Sequence, residues 1–216
     1  MSVGPVVRRM FGPYETNISH AWRSIFVSVD EFVRQIKTWA PGAKQILEVG
    51  CGEGAVTGAL RVAFPEAEIT GIDITSKVGR LFAGDSGSVR FLQCTVQELA
   101  AREAGQFDLA VICDVLHHVP SPARQDLLNA VQRTLTTAGN VVFKDWERSC
   151  SPIHWLCYTS DRWITGDRVQ YMSRSEMFSL FELSFGRGAI QAETRISPWH
   201  NNVAALVRST GHLIPK

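Results

Sequence analysis

The sequence predicts one α/β domain in which a mainly parallel sheet carries helices on both faces. Short apolar runs alternate along the chain with segments whose apolar residues recur every three or four positions. That alternation is typical of parallel strands joined by helices. The length of 216 residues suits a single domain, and a composition of 45% hydrophobic and 20% charged residues excludes a disordered chain. A net charge of +1 disfavours a large nucleic-acid footprint.

The sequence predicts that the chain consists of an amino-terminal segment and a main domain. Apolar side chains, several of them aromatic, recur at helical spacing over residues 16–40, and Pro41-Gly42 ends the pattern. We therefore expect residues 1–40 to form a helical cap segment and residues 41–216 to form the main domain.

Five strands and two helices are predicted in the first part of the main domain. The strands are short apolar runs at 45–49, 68–73, 89–92, 107–113 and 140–144. One helix is expected over 55–63, before Pro65. A second helix is expected over 121–135, where Ser121-Pro122 is a good start signal and Gly139 marks its end.

The aromatic content rises in the last third of the chain. Residues 146–182 are rich in aromatic side chains and irregular in pattern, with Ser173 as the cap of a helix over 174–182. Residues 188–196 and 202–208 have the pattern of two more strands, and their short connection requires an antiparallel arrangement. The sheet therefore has about seven strands and ends in an antiparallel hairpin.

The strongest chemical signal is a glycine-rich turn, in which Gly50, Gly52 and Gly54 stand between a predicted strand and a predicted helix. Asp73 ends the next strand, where a carboxylate can accept both hydroxyls of a ribose. The spacing also fits a dinucleotide fingerprint, but Glu48 would repel a pyrophosphate and suits a cationic ligand. S-adenosylmethionine, which carries an amine and a sulfonium and no phosphate, is therefore favoured. A nicotinamide or flavin dinucleotide, or a turn without a ligand, are the alternatives.

These motifs resemble those of the class I S-adenosylmethionine-dependent methyltransferases. The resemblance is carried by residues 46–54, by Asp73, by the stretch 107–120 with its Leu-His-His-Val-Pro ending, and by the turn at 135–140. It implies a three-layer α/β/α Rossmann-like methyltransferase fold. The expected sheet is mixed and seven-stranded, in the order 3-2-1-4-5-7-6, with a C-terminal antiparallel hairpin.

The resemblance also implies where the cofactor lies. Asp73 would hold the ribose and Ile74 would pack on the adenine, while Asp114 and Val115 would lie beside the methionine part. Many relatives carry an Asp after the third strand that accepts a bond from the adenine amino group; Thr95 stands there in this chain, and its hydroxyl can also accept. The expected cofactor-binding residues are Glu48, Gly50, Cys51, Gly52, Gly54, Asp73, Ile74, Thr95, Val96, Asp114 and Val115.

A general base is expected beside the cofactor. Methyl transfer to a hydroxyl requires in-line alignment and removal of a proton, and histidine suits that task near neutral pH. His117 and His118 follow the fourth strand and Asp145 ends the fifth, an arrangement that resembles small-molecule and sugar O-methyltransferases. We expect His117 or His118 to be the base, with Asp145 as its partner. His154 is another candidate base, and either neighbouring histidine can instead cap the loop or pack on the cofactor.

A magnesium site would use two of the same acids. Asp114 and Asp145 stand where relatives that methylate catechols place magnesium ligands. Those relatives have a third oxygen ligand, typically Asn, directly after the second Asp, and that residue is Trp146 in this chain. We therefore expect no catalytic metal.

The aromatic segment is the predicted lid over the substrate. Residues from about 146 to 175 follow the fifth strand and combine apolar surface with polar tips, as ligand pockets do. The expected substrate-binding residues are Trp146, Trp155, Tyr158, Trp163 and, from the amino-terminal segment, Tyr14. The structural alternatives are a satellite core over the sheet for the first four and a packing helix for Tyr14.

The sequence thus predicts a methyltransferase that acts on a small organic acceptor, at a hydroxyl of a secondary metabolite, sugar or lipid precursor. Nitrogen or carbon methylation is the nearest alternative; a dinucleotide-dependent oxidoreductase and a non-catalytic nucleotide-binding protein are more distant ones. We expect a monomer or homodimer that does not bind nucleic acid. The sequence has no C-x-x-C pair, no signal-like start and no apolar run of ~20 residues, so we expect a cytoplasmic protein without a membrane span.

Overall fold

A seven-stranded mixed sheet organises the part of the chain that the computed structural model describes, which is residues 26–84, 86–160 and 169–208. Its strands are β1 (Gln45–Val49), β2 (Glu68–Asp73), β3 (Val89–Gln93), β4 (Phe107–Cys113), β5 (Leu135–Trp146), β6 (Ile190–Arg195) and β7 (Asn202–Arg208). They lie in the order β3-β2-β1-β4-β5-β7-β6, with β1 to β5 parallel and β7 antiparallel to both of its neighbours. The predicted strand order and C-terminal hairpin are confirmed.

Six helices of seven or more residues connect and cover these strands in the described part of the chain. They are α1 (Val29–Trp39), α2 (Ala55–Ala63), α3 (Val96–Arg102), α4 (Ser121–Thr134), α5 (Pro152–Ser160) and α6 (Arg174–Phe185). Three of them begin at a hydroxyl cap, because Ser28, Thr95 and Ser173 each accept a bond from the backbone N–H three residues on. Such a cap contributes about 1 kcal/mol to a helix. None of the described helices has both the length and the apolar character that crossing a bilayer requires.

The sheet is buried on both faces, which gives the predicted three layers. Leu47 of β1 belongs to a core cluster with residues of α3, α4 and α6, whereas its neighbour Ile46 belongs to a second cluster with residues of α1 and α2. Adjacent side chains of a strand point to opposite faces, so a strand buried on both sides needs apolar residues throughout. The fold places α1 and α2 on one face and α3, α4 and α6 on the other.

The predicted boundary between α4 and β5 differs from the structure. The strand β5 begins at Leu135 and spans 12 residues, so Gly139 lies inside a strand and does not end a helix. A Cβ at Gly139 would lie 3.1 Å from the carbonyl oxygens of Phe107 and Thr136, where β4 and β5 change register. The glycine therefore marks a close backbone approach, which the sequence pattern did not distinguish from a helix end.

The helices α3 and α5 were not predicted, and α6 extends to Phe185. The helix α5 lies in the aromatic segment, where its weak amphipathic pattern hides the helical period. Of the predicted cap segment, the structure describes α1 and the residues next to it. The remainder of that segment, residues 1–25, lies outside the described residues.

Candidate active site

The glycine-rich turn joins the carboxyl end of β1 to α2 in left-handed backbone. Gly50 and Gly52 have φ angles of +74° and +53°. A Cβ on Gly50 would lie 2.4 Å from Cγ2 of Val115, so only glycine fits against the loop that follows β4. A Cβ on Gly52 would have no described atom within 4 Å, so the turn faces open space there. A ligand can therefore approach the backbone at Gly52.

The Asp73 carboxylate is fixed against this turn. Its Oδ2 accepts a bond from the Gly52 N–H at 2.8 Å, and its Oδ1 accepts one from the Thr75 N–H at 2.8 Å. Each carboxylate oxygen has a second lone pair with which it can accept another donor. The structure thus brings together the predicted ribose-binding acid and the glycine-rich turn that is predicted to bind the cofactor.

Glu48 lies beneath the turn and is only 2% exposed. Its carboxylate accepts a bond from the Thr57 hydroxyl of α2 at 2.5 Å. Burial, and then the charges of Glu48 and Asp73, raise the pKa of the Cys51 thiol far above its ordinary value. Cys51 therefore stays protonated, and it serves the turn as a small apolar side chain.

The predicted adenine contacts lie at the ends of β2 and β3. Ile74 is 75% exposed directly after Asp73, so it offers an apolar surface to a ligand. Thr95 caps α3: its hydroxyl accepts the Glu98 N–H and donates to the Glu98 carboxylate at 2.9 Å. Val96 is buried in the core. The role of Thr95 toward the adenine amino group stays a prediction.

The carboxyl ends of β4 and β5 bring His117 and Asp145 into contact. The Nδ1 of His117 lies 2.5 Å from Oδ1 of Asp145, and both side chains are buried. The carboxylate also accepts the Trp146 N–H at 2.7 Å and the His117 N–H at 3.3 Å. His118 is exposed, with its ring 4.1 Å from the ring of His117. Of the two predicted histidines, His117 is therefore the one that pairs with Asp145.

The charge state of this pair follows from its surroundings. Burial alone would raise the pKa of the Asp145 carboxyl, but its His117 partner, the Trp146 N–H and the Lys144 ammonium hold that pKa below its usual value. Asp145 is therefore an anion that accepts the proton on Nδ1 of His117. In the neutral ring, the basic nitrogen is then Nε2.

Lys144 is a site residue that the sequence analysis missed. It is 2% exposed, and its Nζ donates to both carboxylate oxygens of Asp114 at 2.8 Å. Burial alone would lower the pKa of the Lys144 ammonium, but Asp114 raises it above its ordinary value. The signal available was a lysine at the end of an apolar strand, since a buried lysine is nearly always paired, but the pattern could not show its partner, which lies 30 positions away.

Three of these groups have the spacing of metal ligands. Asp114, His117 and Asp145 each offer one ligand atom, and those atoms lie within 4.8 Å of one another. Both carboxylates already have partners in the structure, Lys144 for Asp114 and His117 for Asp145. The absence of a catalytic metal stays a prediction.

The lid segment contributes both buried and exposed aromatic residues. Trp146 is 3% exposed, and its indole N–H donates to Nδ1 of His154 at 3.0 Å. In contrast, Trp155 on α5 is 62% exposed, and its ring lies 6.3 Å from that of Tyr158. Trp163 and Tyr14, the other two predicted substrate-binding residues, lie outside the described residues.

His154 is placed as a hydrogen-bond acceptor. Burial, and then the charge of Arg148, lower the pKa of the His154 ring, so the ring is neutral at physiological pH. Because the Trp146 indole occupies the lone pair of Nδ1, the neutral ring carries its proton on Nε2. This geometry argues against His154 as the base.

Tyr171 and Arg124 are two further residues near the pair that the sequence did not single out. The Tyr171 ring stacks on the His117 ring with centroids 4.9 Å apart. The buried Arg124 guanidinium donates to the carbonyls of Leu116, Val119 and Gln170, and so ties the histidine loop to the segment that carries Tyr171. The stacking of Tyr171 on His117 and the bond from Arg124 to Gln170 join residues far apart in sequence, so no local pattern shows them.

Comparisons with known proteins agree with this geometry. Residues 46–139 match the family model described as "Methyltransferase domain". The ubiquinone biosynthesis O-methyltransferase of Escherichia fergusonii is 36% identical over 110 residues, which are 49% of this chain and 44% of that protein. The match thus spans less than half the length of the curated relative.

Solved methyltransferase structures share the fold at low sequence identity. The 1,6-didemethyltoxoflavin-N1-methyltransferase of Burkholderia thailandensis, crystallised with 1,6-didemethyltoxoflavin and S-adenosylhomocysteine, has a TM-score of 0.67 at 18% identity; the alignment covers 95% of this chain and 88% of that one. Human N-acetylserotonin methyltransferase, in complex with S-adenosylmethionine, has a TM-score of 0.60 at 14% identity, over 84% of this chain and 55% of that one. Residues 46–139 of this chain therefore match a methyltransferase domain, and the described residues share the fold of solved methyltransferases.

Proposed function

We propose that the protein binds S-adenosylmethionine at the glycine-rich turn and transfers a methyl group to a hydroxyl of a small organic acceptor. The observation that carries the proposal is the buried pair of His117 and Asp145, 2.5 Å apart, at the carboxyl edge of the sheet that also carries the glycine turn. Ligands of open α/β sheets bind outside this edge, where the strand order reverses. In this sheet the reversal lies between β1 and β4.

The residues of the turn fit S-adenosylmethionine better than a dinucleotide. Asp73 has the lone pairs to accept two ribose hydroxyls, and the open space at Gly52 admits a ligand to the backbone. Glu48 places a buried negative charge below the turn, which opposes a pyrophosphate and favours an amine or a sulfonium. Ile74 adds an exposed apolar surface for a base.

The reaction we propose needs positioning and a single proton transfer. The bound cofactor supplies an electrophilic methyl group on its sulfonium sulfur. Asp145 orients the His117 ring and stabilises its cation, and Nε2 of His117 takes the proton of the acceptor hydroxyl. Positioning of this kind contributes ~7–11 kcal/mol to a two-reactant step, and a general base adds roughly 10²–10⁴-fold in rate.

The acceptor we propose is a secondary metabolite, sugar or lipid precursor with an apolar body. The exposed Trp155 and the nearby Tyr158 of α5 support this, since ligand pockets are mostly apolar with a few polar groups. The curated relative methylates oxygen and the toxoflavin enzyme methylates nitrogen, according to their names. Nitrogen methylation is therefore the alternative to test, and a nitrogen acceptor would need little help from His117.

The test is methyl incorporation from S-adenosylmethionine with a deuterated methyl group. The purified protein is incubated with a metabolite extract, and products that carry the label are identified by mass spectrometry. We expect a labelled product whose rate of formation falls by roughly 10²–10⁴-fold in His117→Gln and is unchanged in the exposed control His200→Gln. Labelling that His117→Gln leaves intact would indicate nitrogen or carbon methylation. The absence of any labelled product would contradict the proposed activity.

A further inference from the structure

The buried side chain of Lys144 is directed at a partly exposed carboxylate, that of Asp114. The Nζ atom lies 2.8 Å from each oxygen of Asp114, and the Lys144 carbonyl accepts the Asp114 N–H at 2.8 Å. Asp114 has a φ angle of +56°, a left-handed conformation that is uncommon for a residue with a side chain. Two contacts from one lysine therefore fix both the backbone and the carboxylate of Asp114.

The two carboxylates beside Lys144 require a positive charge close to them. Asp114 and Asp145 offer oxygen atoms that lie within 4.8 Å of each other and of a His117 nitrogen. Two carboxylates at that distance repel each other unless a positive charge lies close to them. Asp145 must stay ionised if it is to orient the imidazole of His117 and stabilise its cation. The cation at this place is the buried ammonium of Lys144, which donates to both carboxylate oxygens of Asp114.

We propose that the ammonium of Lys144 takes the place of a divalent metal ion in a carboxylate–imidazole site. It supplies the positive charge that offsets the charges of Asp114 and Asp145. Lys144 is thus a positioning residue, because its ammonium holds the Asp114 carboxylate and supplies a positive charge to the cluster that contains Asp145 and His117. The benefit to proton removal rests on the proposed function. The electrostatic role rests only on the geometry of the cluster, and it can be tested without an acceptor.

Removal of the ammonium should expose a latent metal site. In Lys144→Met the side chain keeps a similar length and loses its charge, so two carboxylates and one imidazole remain within 4.8 Å. Carboxylate and imidazole ligands together suit Mn²⁺ and Zn²⁺. Mn²⁺ is the better probe, because Zn²⁺ also binds the thiolates of cysteine and this chain has five cysteines.

The experiment is titration of the full chain with Mn²⁺. Binding is measured by calorimetry and by the electron paramagnetic resonance signal of the free ion. We expect the wild type to show no stoichiometric binding and Lys144→Met to bind one Mn²⁺ about 100-fold more tightly, because removal of a nearby positive charge favours the cation. The double variant Lys144→Met/Asp114→Asn should lose that binding. Lys144→Arg, which keeps the charge, should behave like the wild type.

Two results would overturn the proposal. One is that the wild type binds one Mn²⁺ and that Asp114→Asn abolishes this binding, since the cluster would then bind a metal although Lys144 is present. The other is a folded Lys144→Met that binds Mn²⁺ no better than the wild type. If Lys144→Met unfolds, recovery of its thermal transition on addition of Mn²⁺ supports the proposal, and no recovery overturns it. Titration of the same proteins with S-adenosylmethionine reports on the proposed function separately.

Discussion

The two halves of the candidate site are built from different kinds of contact. At the glycine turn, backbone groups dominate. Gly52 donates its N–H to Asp73, and Val115 lies so close to Gly50 that no residue with a Cβ fits there. At the pair of His117 and Asp145, side chains from separate strands and loops converge in a buried cluster. The first half therefore depends on local chain geometry, and the second depends on how β4 and β5 pair.

The largest effect should come from a change in the side-chain half. Asp145→Asn keeps the shape of the residue, but it cannot stabilise an imidazolium and it allows the wrong tautomer of His117. We expect kcat to fall by roughly 10³–10⁴-fold while the affinity for S-adenosylmethionine stays the same. Single-turnover methyl transfer and calorimetry on the same protein measure the two quantities. A variant that loses cofactor affinity and keeps its rate would show that the two halves are not separate.

The opposite pattern should follow from a change in the backbone half. Gly50→Ala adds a Cβ at a φ of +74° and 2.4 Å from Cγ2 of Val115, so the turn must shift. We expect a loss of stability of roughly 1–3 kcal/mol and at least a tenfold weaker binding of S-adenosylmethionine. Gly42→Ala is the matched control, because a Cβ there meets no described atom within 4 Å. Equal effects of the two substitutions would contradict the role given to the turn.

A third change tests how the histidine loop is held. Arg124 is 5% exposed and donates to three carbonyl groups, two of them in that loop. Arg124→Met should lower the free energy of unfolding by about 3 kcal/mol, because one buried and two part-buried carbonyls lose a charged donor. It should slow methyl transfer more than it weakens cofactor binding. Arg133→Met, on the exposed face of the same helix, should do neither.

The smallest effect is a pH dependence carried by His154. Burial and the Arg148 charge lower its pKa from an ordinary value of 6.5, so the unfolded chain binds more protons there than the folded protein. The contribution of the neutral ring to the free energy of unfolding is therefore complete above pH 6.5. It is lost as the pH falls through the lowered pKa. Between about pH 7 and 5 the free energy of unfolding should fall less steeply in His154→Gln than in the wild type. A similar flattening in the exposed control His200→Gln would contradict the assignment.

The same contrast explains what the sequence could predict. The glycine turn and Asp73 follow from short, local patterns, because a tight turn restricts which residues fit, whereas the strand order was implied by the resemblance to the methyltransferases. The pairing of Asp145 with His117 instead of His118 depends on side-chain direction in a three-residue turn, which spacing does not reveal. Lys144 and Arg124 were missed since their partners lie 30 and up to 46 positions away. Hydrophobic periodicity carries no information about such contacts.

Isothermal titration of the full chain with S-adenosylmethionine tests the central claim most directly. The wild type should bind it at micromolar concentration, and Asp73→Ala should bind it much more weakly, because the ribose loses its acceptor and the Gly52 N–H loses its partner. Asp126→Ala, an exposed carboxylate on α4, should bind like the wild type. Binding of a nicotinamide dinucleotide instead of S-adenosylmethionine would contradict the methyltransferase assignment of the site.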